Sequence, residues 1–338
     1  MRTVPSNSVD LIVTSPPYPM IAMWDEIFSR QNPLIREALD REDGPLAFEL
    51  MHQELDRVWR EVFRVLKNGG LACINCGDAT RTINGDFRLY PNHSRILNAL
   101  SHLGFSVLPA IIWRKQTNAP NKFMGSGMLP AGAYVTLEHE YILILRKGSK
   151  RDFKKEKDKK NRRLSAIFWE ERNVWFSDVW MDLKGTGQNM NDEKIRKRSG
   201  AFPFELAYRL INMFSVKGDT VLDPFLGTGT TMTAAMASCR NSLSFESESN
   251  FRDVIGLKTK EIIEIANQYN KNRIKQHIAF VTEREKKKEA LKYRNKYYNF
   301  PVVTRQETEL FLNDLESVTK AGDDEFRVSY LELPKKAI

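Results

Sequence analysis

Cysteine is scarce in this chain of 338 residues: three occur, too few and odd in number for a disulfide framework, which fits a reducing compartment. Two of them, Cys73 and Cys76, form a CxxC. The flanking "LACIN" reads as a buried strand, in which positions three apart point to opposite faces, and no second pair completes a zinc set. The five histidines show no metal-ligand spacing, so no metal is expected. No apolar run approaches the roughly 20 residues of a membrane span. The N-terminus also lacks the charged, then apolar, then small-residue layout of a signal peptide. The expectation is a cytoplasmic protein with no membrane partner. No internal repeat is visible.

What is present is ample apolar material and an excess of positive charge. With 41% hydrophobic residues, the chain can bury a sizeable core as one elaborated α/β domain or two domains. Lys plus Arg exceeds Asp plus Glu by 52 to 43, a net +9 that favours a polyanionic partner. Much of that excess is local. Between Arg146 and Arg163 there are eleven basic residues against three acids, and Phe168, Trp169, Trp175, Phe176 and Trp180 follow. Two readings stay open: a solvated loop before a small core, or a nucleic-acid surface in which the basic run meets phosphates.

Apolar runs at 9–13, 71–77, 106–113, 140–147 and 220–222 read as strands. Helical spacing occupies 48–66, stopped by "KNGG", then 92–103, closed by Gly104, and 202–215. A glycine-rich loop spans 124–132, residues 251–298 read as charged helix, and "FPVVT" at 300–304 as a strand. Strands this uniformly apolar belong to a sheet covered on both faces, which predicts a doubly wound α/β fold, parallel or mixed.

Two stretches carry chemistry. The first strand runs into Thr14-Ser15-Pro16-Pro17-Tyr18, a rigid polar corner with an aromatic ring beside it. The strand at 220–222 runs into Asp223-Pro224-Phe225-Leu226-Gly227-Thr228-Gly229-Thr230-Thr231 and then a helix of small residues. Strand, glycine turn and helix form a ligand-binding geometry. A P-loop would need a lysine after the last glycine, and a dinucleotide fingerprint would need glycine at Met232; neither is there. Asp223 repels phosphate and can accept from an amino-bearing ligand. Glu246, closing the next strand, is placed to accept from both ribose hydroxyls. Two such acids suit S-adenosylmethionine, which has an ammonium and a sulfonium but no phosphate.

The chain resembles the amino-group DNA methyltransferases: Asp223 to Thr231 is similar to their cofactor motif DPFxGxGTT, and Thr14 to Tyr18 to their catalytic motif TSPPY. Leu66 to Gly70, Trp113 to Lys115 and His139 to Lys147 resemble further motifs of that family. So do Phe202, Pro203, Glu205 and Leu206, in the helix that closes over the cofactor. The resemblance covers about 9–147 and 198–250. The catalytic motif comes first here, as in the family's permuted β group.

That likeness implies a Rossmann-like fold with a mixed, mostly parallel sheet. It divides the chain into a catalytic half at 1–147, a target recognition region at 148–197, a cofactor half at 198–250 and a C-terminal region at 251–338. It also implies double-stranded DNA as substrate. A flipped base would stack on Tyr18 while its amino group donates to the Ser15 hydroxyl and the Pro16 carbonyl, with Pro16 and Pro17 holding the corner stiff. The cofactor would contact Asp223, Pro224, Phe225, Gly227, Gly229, Thr230, Thr231, Glu246, Phe202 and Pro203. Serine in place of the motif's first acid is associated with cytosine N4. Adenine N6 is the alternative, and a catalytically inactive DNA-binding protein the other. A restriction–modification role is expected, in which a cognate endonuclease shares the site without stable contact.

Two departures from the family pattern stand out. The strand that carries a Gly-Asp pair in the family is not found upstream, because the chain begins inside the following helix. Two explanations stay open: "FPVVT", followed by "ETELFLNDL" as helix, supplies it from the C-terminus, or the N-terminus is incomplete. The acidic strand ends Ser244-Phe245-Glu246 where the family shows Gly-Ile-Glu.

Overall fold

Six consecutive residues, Val9–Thr14, form strand β1, and all six are buried. A strand shielded on both faces needs helices on both sides, and the chain supplies them. The computed structural model describes residues 1–115, 124–185, 202–287 and 290–332. After β1 come three helices, α1 (Asp25–Gln31), α2 (Pro33–Asp40) and α3 (Gly44–Val65), then β2 (Leu66–Cys76). A hairpin of β3 (Ala79–Ile83) and β4 (Asp86–Tyr90) leads to α4 (Asn92–His102) and β5 (Phe105–Arg114). Short strands β6 (Met124–Gly125) and β7 (Ala133–Tyr134) pair within the glycine-rich loop, and β8 (His139–Lys147) follows.

The next stretch carries α5 (Glu156–Leu164), α6 (Trp169–Trp175) and the two-residue β9 (Val179–Trp180). Then come α7 (Phe204–Phe214), β10 (Thr220–Asp223), α8 (Thr230–Ala237), β11 (Asn241–Ser244) and the 37-residue α9 (Phe251–Lys287). The C-terminal part adds two small ladders, β12 (Tyr293–Arg294) with β13 (Pro301–Val302), and β14 (Leu315–Lys320) with β15 (Phe326–Tyr330).

Seven strands make one sheet in the order β11-β10-β1-β2-β8-β5-β9. The pairings of β11, β10, β1 and β2 are parallel; β8 runs antiparallel to both its neighbours, and β9 lies parallel to β5. This is the doubly wound α/β fold expected from the apolar runs, with the mixed, mostly parallel sheet that the family likeness implies. Successive β1 residues serve opposite cores: Ile12 packs with Trp59 and Leu55 of α3, whereas Leu11 and Val13 pack with Leu206 of α7 and Ala234 of α8. Cys73 and Cys76 divide the same way, one in each core.

The structure corrects several local expectations. "KNGG" does not stop the helix. α3 ends at Val65 because Leu66 is already extended, and Lys67–Gly70 bulge out of β2 between the pairs Val9↔Leu66 and Leu11↔Leu71. Gly69 takes a φ of +85°, and a Cβ on Gly70 would lie 2.9 Å from the Asp10 carbonyl oxygen, so the bulge needs both glycines. "FPVVT" does not complete the main sheet: Pro301–Val302 pair only with Tyr293–Arg294. "ETELFLNDL" is not a helix beyond a single 3₁₀ turn at Arg305–Glu307. Phe300 and Val302 instead form a third small core with Phe168, which stacks on the His277 ring at 4.0 Å.

The aromatics after the basic run are mostly core. Phe168, Trp175 and Trp180 are buried, while Phe176 is exposed. Trp180 sits in the sheet beside Trp113, whose indole Nε1 donates to the Leu183 carbonyl at 3.0 Å. Residues 186–197 of the expected recognition region lie outside the described residues, as do 198–201 of the expected cofactor half. Among the described residues no helix is long and apolar enough to cross a membrane.

Candidate active site

The carboxyl ends of β1, β10 and β11 open on one side of the sheet, where ligands bind in open α/β folds. Two stretches 209 residues apart in sequence meet there through one bond: the Thr14 hydroxyl donates to Asp223 Oδ1 at 2.6 Å. That contact fixes the polar corner of Ser15 to Tyr18 against the glycine turn. Asp223 is buried, and its Oδ1 also accepts from the Phe225 amide at 3.0 Å. Burial raises its carboxyl from 3.8 to about 6; the bonds from Thr14, Thr231 and Phe225 oppose that rise, and the Glu246 charge adds to it.

After Asp223 the backbone makes a tight cradle. The Phe245 amide donates to the Asp223 carbonyl and the Leu226 amide to the Phe245 carbonyl, tying the turn to the end of β11. Gly227 and Gly229 have φ of +53° and +84°, a region that side chains disfavour, so the turn depends on both. Gly229 caps the N-terminus of α8, whose eight residues are all buried. The exposed Glu246 carboxylate accepts from the amides of Gly227 at 2.7 Å, Ser247 at 2.8 Å and Glu248 at 2.9 Å. The Ser244 hydroxyl, paired in register with Asp223, is buried without a partner. A buried acid and an orphaned hydroxyl beside an open glycine turn fit a ligand bearing hydrogen-bond donors and positive charge.

Lys258 of α9 was not visible as a site residue in the sequence. It donates to the Thr228 hydroxyl at 2.8 Å, and burial lowers its amine to about 8. Phe202 is buried in the core that contains Met232 of α8, and Pro203 directly precedes α7. Pro224 and Phe245 line a cleft of about 610 Å³ together with Arg57 and Arg60 of α3.

Across the corner lies a polar cluster that sequence reasoning missed. The Tyr18 hydroxyl donates to Glu140 Oε2 at 3.0 Å and lies 2.9 Å from the Ser15 hydroxyl. Asn75, buried in β2, donates from Nδ2 to the Tyr18 oxygen at 2.9 Å and to Glu140 Oε2 at 2.6 Å. Lys115, one residue past β5, donates to Glu140 Oε1 at 3.0 Å. Burial, then the Glu140 charge, holds the Tyr18 phenol well above its usual range, so it stays protonated. A Cβ on Gly77 would approach the Tyr18 ring to 3.1 Å, so glycine there leaves room for the aromatic face. These groups lie on β2 and β8 or just past the ends of β1 and β5, and no local spacing brings them together.

Elsewhere, Glu170, His277 and Glu307 gather within 4.8 Å of one another. Both imidazole nitrogens are already engaged, Nδ1 with Glu170 and Nε2 with the Pro301 carbonyl, so this cluster ties α6, α9 and the C-terminal ladder together.

Comparison with known proteins bears on the family and the fold. The model of the N6/N4 DNA methylase family matches residues 9–257. The Type II methyltransferase M.MthZI of Methanothermobacter thermautotrophicus is 53% identical over 338 residues, 99% of this chain and 94% of that protein. M.MjaI of Methanocaldococcus jannaschii, also a Type II methyltransferase, is 50% identical over 277 residues, 78% of this chain and 90% of its own. A Thermus thermophilus protein described as a DNA modification methylase, solved with S-adenosyl-L-methionine, shares 32% identity with a TM-score of 0.59, covering 78% of this chain and 88% of its own. PvuII DNA methyltransferase, cytosine-N4-specific, shares the fold at 17% identity and a TM-score of 0.51, covering 79% of this chain and 87% of its own. The chain belongs to the N6/N4 DNA methylase family.

Proposed function

We propose that this protein is a Type II modification enzyme that methylates the exocyclic N4 of a flipped cytosine in double-stranded DNA, using S-adenosylmethionine. The observation that carries the reading is the Thr14 to Asp223 bond, which closes the Ser15 corner onto the glycine turn. Bound at that turn, S-adenosylmethionine supplies an electrophilic methyl group on a sulfonium. Asp223 with Pro224 and Phe225, the backbone at Gly227 and Gly229, Thr230 and Thr231 at the helix start, and Glu246 are the residues that hold it. Phe202 and Pro203 complete the set, and Lys258, which donates to the Thr228 hydroxyl in the turn, is the cation for the cofactor's carboxylate.

The remaining work belongs to the corner. A cytosine amino nitrogen is a weak nucleophile, because its lone pair is delocalised into the ring. The phenol proton of Tyr18 is committed to Glu140, so the Ser15 hydroxyl donates to the phenol oxygen and keeps its lone pairs for an N–H group. The Pro16 carbonyl takes the second N–H, and Pro16 and Pro17 keep both acceptors fixed. The ring of Tyr18 gives the extruded base a stacking face. Serine at position 15 is the residue that favours cytosine N4 over adenine N6.

The order of motifs supports reading the chain as a member of the permuted β group, with residues 148–197 as the target recognition region between the catalytic and cofactor halves. The basic run there, including the exposed α5, meets the phosphate backbone. A cognate endonuclease reads the same site independently. Incubation with tritiated S-adenosylmethionine and genomic DNA tests the reading: label in DNA is expected. DNA binding without label leaves only a binding protein.

A further inference from the structure

Glu140 makes no contact with the cofactor turn and belongs to neither signature motif. It nevertheless has three hydrogen-bond partners at the corner, as many as the Tyr18 hydroxyl. Its Oε2 accepts from the Tyr18 hydroxyl and from Asn75 Nδ2, and its Oε1 accepts from Lys115. Its side chain is largely buried, and Lys115 is its ion-pair partner at 3.0 Å. A network of this kind costs conformational freedom and desolvation, and a stacking ring alone does not require it.

We infer that Ser15, Tyr18 and Glu140 form a proton relay, in which Glu140 is the terminal acceptor for the proton the target amine must lose. The inference rests on the reading of Ser15 as the acceptor of an amine N–H. The nitrogen that has received a methyl group carries a surplus proton and a positive charge. Its N–H bond breaks, and the electron pair returns to nitrogen as the proton passes to Ser15 Oγ. The serine's own hydrogen passes to the phenol oxygen, 2.9 Å from Oγ, and the phenol hydrogen passes to Glu140 Oε2, 3.0 Å from the phenol oxygen. Ser15 and Tyr18 end neutral, and Glu140 ends as a carboxylic acid that releases its proton to water after turnover.

The surroundings suit that role. Lys115 and Asn75 hold the carboxylate in place, and Cys76, the other titratable group against Tyr18, is a buried thiol pushed well above its usual range and therefore neutral. The raised phenol does not become a phenolate, so it can only pass a proton on. Glu140 and Lys115 are positioning residues in this scheme, since they touch the base through Tyr18 and Ser15.

The test is single-turnover methyl transfer to DNA by the full-length protein and its Glu140→Gln, Tyr18→Phe and double variants, across pH 6–9. Cofactor and DNA affinities are measured alongside. The isosteric amide keeps a hydrogen bond to the phenol but cannot take the proton, and phenylalanine keeps the stacking face but breaks the wire. Each single variant is expected to lose about 100-fold in rate, the usual range for a positioned base, with affinities within about threefold. The double variant should be no slower than either single one. The Glu140→Gln rate should also climb with pH, because hydroxide must then take the proton directly. Transfer by Glu140→Gln within about threefold of wild type, or losses that multiply in the double variant, overturns the relay. If Glu140→Gln fails to fold, Tyr18→Phe carries the same rate comparison. No transfer by the wild-type protein sinks the underlying reading as well.

Discussion

Asp223→Asn should make the protein more stable and less able to bind its cofactor. The buried carboxyl rises from 3.8 to about 6 on folding. At about 1.36 kcal/mol per unit, that is about 3 kcal/mol of native stability lost to a charge held out of water. The sign follows from proton binding. Below the unfolded value both states hold the proton and nothing is lost. As pH rises toward 6 the unfolded chain releases it first, so stability falls, and above 6 the loss is complete. Asparagine keeps an oxygen for Thr14 and the Phe225 amide but carries no charge. Urea unfolding of the cofactor-free protein should therefore show the variant more stable by up to about 3 kcal/mol at pH 8, with a smaller gain at pH 5. Isothermal titration should show a large loss of S-adenosylmethionine affinity. A variant no more stable than wild type at pH 8, or one whose gain does not grow with pH, would falsify the assignment of Asp223 as a strained cofactor acid.

Other perturbations have equally definite outcomes. Gly77→Ala pushes a methyl to 3.1 Å from the Tyr18 ring, so single-turnover transfer should fall by about tenfold while the melting temperature moves little. Arg273, fully enclosed and bonded to Glu171 and to the Tyr208 hydroxyl, joins α9 to α6 and α7. Arg273→Met leaves the Glu171 charge without its ion-pair partner, with only the Phe168 amide still donating to it, and should cost about 3–5 kcal/mol in urea unfolding, with faster proteolysis around α6. Glu246→Gln should weaken S-adenosylmethionine binding in a calorimetric titration, with DNA affinity unchanged.

How much was legible beforehand follows from the range of the interactions. Strands β1, β2, β8 and β10 announced themselves because burial on both faces writes a continuous apolar run, and the glycine turn because only glycine tolerates φ of +53° and +84°. Ser15, Tyr18 and Asp223 were named from short motifs, and the Thr14 bond brings them together. Asn75, Lys115 and Glu140 were not given a site role, although Lys115 and Glu140 fall in stretches that resemble family motifs: they lie 57, 97 and 122 residues beyond Tyr18 and gather beside it only when β2, β5 and β8 align. "FPVVT" looked like a sheet strand because β-branched residues suit any half-buried ladder; tertiary packing against Phe168 and His277 decided where it went. The tryptophans beyond the basic run could equally have been surface or core, and burial resolved Trp175 and Trp180 as core.

The most direct measurement is mass spectrometry of nucleosides from unmethylated DNA treated with the purified protein and S-adenosylmethionine. N4-methylcytosine is the expected product, at a level set by the frequency of one short sequence. N6-methyladenine alone, or no methylated nucleoside, would contradict a serine-based corner acting on a cytosine amine.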